Sequence, residues 1–260
     1  MQLSGSVVLL TGASRGLGRA LAQTLAARGA KVGCAARDRV ALDEAVAEIT
    51  AAGGTAAAFP CDLSELSEAA PLVERVESQL GPISILVSNH GTATVGEVAD
   101  LSLADFEVNL RTNFLASAAL TEALLPSFAE RGGTLAYVLS GLALRPLPAW
   151  STYAASKAAL RGYADALRIE LAGGPARVLT IQPGTMQTGF LDRMARVGEP
   201  KILRPRSAAP PERVAEAVAR ALERDRARVS VLGSSSLVQA ADLVAPGLVD
   251  WLLARMYRRP

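Results

Sequence analysis

Short apolar runs of β type alternate with segments of helical periodicity along most of the chain, and this alternation constrains the fold more than any other feature. Val7–Leu10 is apolar throughout and ends at Thr11-Gly12; Gly16–Arg28 then carries a helical stripe through Leu17, Leu21 and Leu25. Lys31–Ala36 reads as a second strand, Asp38–Ala52 as a second helix N-capped by Asp38, and Thr55–Phe59 as a third strand. Glu65–Leu80 is helical and stops at the breaker pair Gly81-Pro82, ahead of the apolar strand Ile83–Val87. A long helix is expected from Leu103 to Glu130, then a strand at Thr134–Leu139 and a helix over Ser151–Ala172. A strand at Arg177–Ile181, a helix over Pro211–Arg224 and a strand at Arg228–Leu232 complete the pattern. Repeated βαβ units force a parallel sheet, because each crossover returns over one face or the other. The expectation is a three-layer, doubly wound α/β fold with a mainly parallel sheet of about seven strands.

At 260 residues, half of them hydrophobic, the chain can build one large core without staples. No repeat or linker divides it, so residues 1–260 are expected to form one domain, with a substrate loop over 185–210 and an amphipathic tail over 240–260. Cys34 and Cys61 show neither metal spacing nor a disulfide framework. The N-terminus lacks the basic and apolar regions of a signal peptide, and no apolar run approaches ~18 residues. A cytoplasmic setting is the expectation. Residues 191–260 carry 13 Lys/Arg against 8 Asp/Glu, which reads as solvated helix faces rather than a nucleic-acid stripe, since aromatics make up 4% of the chain.

Thr11-Gly12-Ala13-Ser14-Arg15-Gly16-Leu17-Gly18 joins the first strand to the first helix. Glycines there let the backbone approach a pyrophosphate, whose charge rests on the helix N-terminus. The end of the first strand is also where a doubly wound sheet binds ligands. An NAD-selective site places an acid at the end of the second strand; here that position is Ala36, followed by Arg37, with Arg15 in the glycine turn. Two guanidinium groups suit a 2′-phosphate, so NADP(H) is expected over NAD(H). The bland alternative is that both arginines are ordinary surface residues.

Tyr153 and Lys157 stand four residues apart and share a helix face. A free phenol titrates near ~10, and a nearby ammonium lowers that value towards the range of a proton-transfer group. Alone, this spacing is that of any solvated helix.

In company the motifs resemble the short-chain dehydrogenase/reductase family over roughly residues 5–190. Thr11–Gly18 matches its TGxxxGxG turn; Asp62-Leu63 follows the third strand, where the family contacts the adenine; and Ser88-Asn89-His90-Gly91 takes the place of its Asn-Asn-Ala-Gly motif. Asn113 lies on the long helix, Ser140 ends a strand thirteen residues before Tyr153, and Pro183-Gly184 and Thr188 follow the next strand. The resemblance implies a Rossmann-type oxidoreductase with Asn113, Ser140, Tyr153 and Lys157 as its catalytic group. Tyr153 would exchange a proton with the substrate oxygen, Ser140 polarise it, Lys157 lower the tyrosine pKa and hold the nicotinamide ribose, and Asn113 position a water leading to Lys157. It further implies dinucleotide contacts from Gly12, Ser14, Arg15, Gly16, Leu17, Gly18, Arg37, Asp62, Leu63, Asn89, Gly91, Tyr153, Lys157, Pro183, Gly184 and Thr188. Homodimers or homotetramers packed through the helices over 103–130 and 151–172 are the family's habit.

Three residues depart from the pattern: Ser88, Leu139 and His90, which is the chain's single histidine. His90 is read as packing near the cofactor or bonding a neighbouring backbone, not as a proton donor. Leu142, Leu144, Leu147, Trp150, Met186, Phe190, Leu191, Met194 and the segment Thr92–Val95 are expected around the substrate. Arg145 and Arg193 are the cations that could hold an anionic group there. This mostly apolar set points to a lipid, steroid, polyketide or terpenoid ketone or secondary alcohol, with core or subunit packing as the competing use. The tail, with Leu248, Trp251, Leu252, Leu253, Met256 and Tyr257 beside Arg255, Arg258 and Arg259, could lie on a membrane, cover the pocket or join a subunit interface. A non-catalytic redox sensor, and an epimerase or dehydratase, are the alternative functions.

Overall fold

The computed structural model describes residues 2–202, 208–231 and 241–258. Seven parallel strands form one sheet: β1 (Val7–Thr11), β2 (Lys31–Ala36), β3 (Thr55–Pro60), β4 (Ile85–Ser88), β6 (Gly133–Val138), β7 (Ala176–Pro183) and β9 (Arg228–Val231). Their spatial order is β3-β2-β1-β4-β6-β7-β9, each pair parallel. The order reverses between β1 and β4, which opens a crevice at their C-terminal ends.

Both faces of the sheet are covered, which is why its strands lack polar alternation. Along β1, Val8 and Leu10 enter one core with Leu21 and Leu25 of α1 (Gly16–Ala26) and Val214 and Val218 of a late helix, Pro211–Glu223. Val7 and Leu9 enter the opposite core. There they meet Leu72 and Val76 of α3 (Ala69–Leu80), Leu120 and Leu124 of α5 (Ala116–Arg131), and Leu160 of α6 (Ser151–Glu170). The helix after β2, α2 (Arg39–Ala51), starts at Asp38, whose carboxylate accepts the Ala41 N–H at 3.1 Å, as its N-cap position predicts.

The structure alters several expectations locally. The long helix divides into α4 (Leu103–Leu110), a π-helical turn (Arg111–Leu115) and α5. Residues 66–68 form a 3-10 turn before α3, and the fourth strand runs Ile85–Ser88 instead of Ile83–Val87. Two pairs of residues unforeseen in the sequence, β5 (Thr94–Val95) and β8 (Ala195–Arg196), form a second parallel sheet. It holds α7 (Phe190–Arg193) and the chain beyond Pro183 over the crevice. The late helix Pro211–Glu223 is α8, and the tail forms α9 (Pro246–Arg258). Leu232, expected to end the last strand, lies outside the described residues.

Candidate active site

The glycine turn is fixed from below by β4. Asn89 donates its side-chain amide to the Thr11 carbonyl at 3.0 Å and the Gly12 carbonyl at 3.2 Å. The Thr11 hydroxyl accepts the Asn89 N–H at 3.0 Å and meets His90 Nδ1 at 2.7 Å. Gly12 and Gly16 have φ of +64° and +52°, in the left-handed region that glycine tolerates. Gly18 has no such φ; it is required by space, since a Cβ there would overlap the Gly12 carbonyl and lie 2.8 Å from Asn89 Nδ2. A Cβ on Gly16 would stand 2.9 Å from Thr188, so Thr188 lies against the turn. Ser14 is buried behind the turn, and Leu17 and Leu63 belong to the two cores, which leaves those leucines their main chain to offer a ligand.

At the end of β2 the two arginines stand beside carboxylates. Arg15 lies 3.3 Å from Asp38 and Arg37 4.0 Å from Asp62, and both guanidinium groups are well exposed. Asp62 also accepts the Ser64 N–H and hydroxyl at 3.0 and 2.8 Å. Burial pushes its carboxyl up, but those bonds and Arg37 outweigh it and hold the group below the usual carboxylate value.

Asn113 sits in the π turn, fully buried. Its Oδ1 accepts the Thr92 N–H at 2.8 Å, and its Nδ2 donates to the Thr92 carbonyl at 2.9 Å and to Ser156 Oγ at 2.8 Å. These contacts tie the π turn to α6 and to the main chain of Thr92, two residues before β5. Gly91 fills the gap between Asn113 and Lys157: a Cβ on it would be 3.1 Å from Asn113 Oδ1 and 3.7 Å from Lys157 Nζ. Lys157 reaches under the sheet and donates to the Val138 carbonyl at 2.8 Å.

Burial of Tyr153 raises its phenol to about 12, and a hydrogen bond with Ser140 pulls the other way. Burial penalises the charged form of Lys157 as well, and its ammonium falls to about 8. Trp150 packs edge-on and Phe190 tilted against the Tyr153 ring, each with centroids 5.7 Å away. Leu142, Leu147, Leu191 and Met194 join the same apolar cluster with Ala93 and Val95. Leu144 lies outside that cluster and Met186 packs on the core of α1 and α8. Arg145 is spent on Asp242 and Asp250, and Arg193 donates to the Thr188 carbonyl at 2.8 Å, so each of the two candidate anion-holding cations has a protein partner.

Thr11 and Thr92, named in the sequence only within longer segments, and Ser156, which it did not single out, complete the site. Thr11 is the junction of β1, Asn89 and His90; Thr92 pairs with Asn113; and Ser156 donates to the Tyr153 carbonyl at 2.7 Å while accepting from Asn113. The signal for Ser156 was its place three residues after Tyr153, from which a helical hydroxyl can bond back to the main chain. Burial, with the Lys157 charge, holds the His90 imidazole down at about 3, against a backbone hydrogen bond at Thr112 that pulls the other way. The ring is therefore neutral at working pH.

These values fix the direction of the pH response. Lys157 is charged below a pH of about 8 and neutral above it, while the phenol stays protonated beyond that point. Any rate that depends on the charge of Lys157 is therefore expected to fall as pH rises past about 8. A steady-state profile that stays flat well above that pH would contradict the assignment.

Comparison with known proteins agrees with this geometry. Residues 6–197 match the family model described as short chain dehydrogenase. The chain is 36% identical over 98% of its length to the ketoacyl reductase HetN of Nostoc sp., covering 89% of that protein. A metagenomic short-chain oxidoreductase solved in complex with NADP superposes with a TM-score of 0.75 at 28% identity, over 89% of this chain and 98% of that one. A short-chain dehydrogenase/reductase from Burkholderia phymatum in complex with NAD shares the fold, with a TM-score of 0.85 at 22% identity, over 95% and 96% of the two chains. The protein belongs to the short-chain dehydrogenase/reductase family, and it is an oxidoreductase.

Proposed function

We propose that the protein is an NADP(H)-dependent enzyme interconverting an apolar ketone and a secondary alcohol, with Tyr153 exchanging the proton. The observation that carries this reading is the Tyr153–Ser140 pair walled by Trp150, Phe190 and the apolar cluster around them. A hydroxyl pair in such a pocket can hydrogen-bond a carbonyl oxygen and little else, so the rest of the substrate is matched by apolar surface. The name of the cyanobacterial relative, ketoacyl reductase, supports carbonyl reduction.

The glycine turn fits a dinucleotide, because Gly12, Gly16 and Gly18 let the main chain fold tightly against Asn89, Thr188 and itself at the N-terminus of α1, where backbone N–H groups can meet a phosphate. Gly12, Ser14, Arg15, Gly16, Leu17 and Gly18 would hold the phosphates; Asp62 and Leu63 the adenine; Asn89, Gly91, Pro183, Gly184 and Thr188 the nicotinamide half. The reduced dinucleotide supplies a hydride when bound. Ser140 donates a hydrogen bond to the substrate oxygen, Tyr153 gives it a proton, and Lys157 keeps positive charge beside the developing alkoxide. Asn113, its side chain committed to Thr92 and Ser156, is left its main-chain carbonyl in the π turn for holding a water towards Lys157.

Arg15 and Arg37 support a 2′-phosphate: both are exposed near the end of β2, where Ala36 stands in place of an acid, and their pairs with Asp38 and Asp62 are at the surface. NADPH is expected to give the higher kcat/KM. Replacing both arginines by Ala should shrink the preference at least tenfold, since a charge-assisted bond contributes about 1.5–3 kcal/mol. NADH performing equally or better with the wild type overturns the cofactor reading.

We further propose a homo-oligomer in the cytoplasm. Exposed Leu103, Val108 and Leu115 along α4 and the π turn, with Ile169 on α6, support packing between copies. Two buried, unpaired cysteines suit a reducing compartment.

A further inference from the structure

The last helix has two apolar faces, and the protein uses one of them. Ala245, Val249, Leu253 and Tyr257, spaced by four, face the body of the molecule, with Val249 fully buried. Polar contacts then pin this face to the rim of the Tyr153 site. Tyr257 donates to Glu97 at 2.7 Å, Lys201 donates to the Met256 carbonyl at 3.1 Å, and Arg145 pairs with Asp242 and Asp250. The neighbouring stripe faces outward. Leu243 and Val244 just before α9, then Leu248, Trp251, Leu252 and Met256, are all exposed, Leu243 and Val244 by nearly nine-tenths. An ordinary surface helix carries polar residues at such positions.

The C-terminal end of this segment is basic in sequence. The last ten residues contain Arg255, Arg258 and Arg259 and no acid. Arg255 stacks on the Trp251 ring with 5.4 Å from guanidinium carbon to centroid, so a cation is carried on the apolar stripe itself. The acids of this region, Asp242, Asp250 and Glu97, are engaged by Arg145 and Tyr257. A second copy docking on the stripe would bring the same cations and apolar surface, with its acids already paired to Arg145 and Tyr257. An anionic bilayer surface answers both features, with headgroups for the arginines and an acyl boundary for Leu, Met and Trp.

We propose that Leu243–Met256 is a membrane-docking surface that seats the enzyme on anionic lipid, lying in the interface without crossing it. Among the described residues no helix is long and apolar enough to cross a membrane.

The test is co-sedimentation of the full chain with vesicles of phosphatidylcholine alone, or with about one-third phosphatidylserine. Binding is expected to the anionic vesicles, weaker to the zwitterionic ones, and reduced by salt. Arg255→Gln should lower the partition about fivefold, the weight of one basic residue near such a surface. The double variant Leu248→Glu/Leu252→Glu should abolish it with an unchanged melting temperature, because both side chains are exposed. Brominated lipids should quench Trp251 in the wild type, Trp150 being buried, and this readout stands even if the variant misfolds. No binding to anionic vesicles, undiminished binding of the double variant, or absent quenching overturns the proposal. So does self-association in light scattering that the two glutamates abolish while vesicles are ignored.

Discussion

Tyr153→Phe is expected to lower kcat about 10²–10⁴-fold, the contribution of a positioned proton donor, while dinucleotide affinity is unchanged. The separation of these two effects is the informative part. The phenyl ring still packs between Trp150 and Phe190, so the wall of the pocket and the fold survive. The loss is confined to a hydroxyl whose proton is held firmly by burial, at about 12, and whose neighbour Ser140 can polarise a carbonyl but does not replace the acid. Single-turnover kinetics with titration of the dinucleotide by fluorescence reads both quantities. Wild-type turnover in the variant would remove Tyr153 from the mechanism.

Gly18→Ala is the second large expectation, and here one methyl group acts on both stability and binding. The new Cβ would overlap the Gly12 carbonyl oxygen, 2.7 Å from its carbon and 2.8 Å from Asn89 Nδ2. None of these atoms can move easily, since Asn89 is bonded to the carbonyls of Thr11 and Gly12 and the turn is tied to β4. Overpacking of this kind is expected to destabilise by about 3 kcal/mol and to displace the turn that holds the phosphates. Dinucleotide affinity should fall at least about tenfold, the loss of one ordinary interaction. Gly162→Ala is the contrasting case. Gly162 lies exposed inside α6 with nothing within 4 Å of its added Cβ, so the same substitution should stabilise by about 0.5–1 kcal/mol. Thermal melts of the two variants should therefore move in opposite directions.

The sheet was legible in the sequence because its strands are buried on both faces, which leaves continuous apolar runs such as Val7–Leu10 and the later Ile85–Val87. The glycine turn was legible for a related reason: close backbone approach excludes side chains wherever it occurs. The π turn at Arg111–Leu115 was not, because what accompanies it is the bonding of Asn113 to Thr92 and Ser156, partners 21 and 43 residues away. Two-residue strands such as β5 and β8 carry no periodicity to detect. Arg145 read as a free cation in the pocket, since its partner Asp250 is 105 residues distant. The burial that raises the Tyr153 phenol was not legible either, since a four-residue spacing places an ammonium on the same helix face but says nothing of what encloses the ring.

The most direct test is to follow NADPH oxidation by the wild-type protein across a panel of apolar and polar ketones. The account predicts multiple turnovers, fastest with bulky apolar ketones and faster with NADPH than with NADH. Tight dinucleotide binding with no turnover of any ketone, the behaviour of a redox sensor, would contradict it.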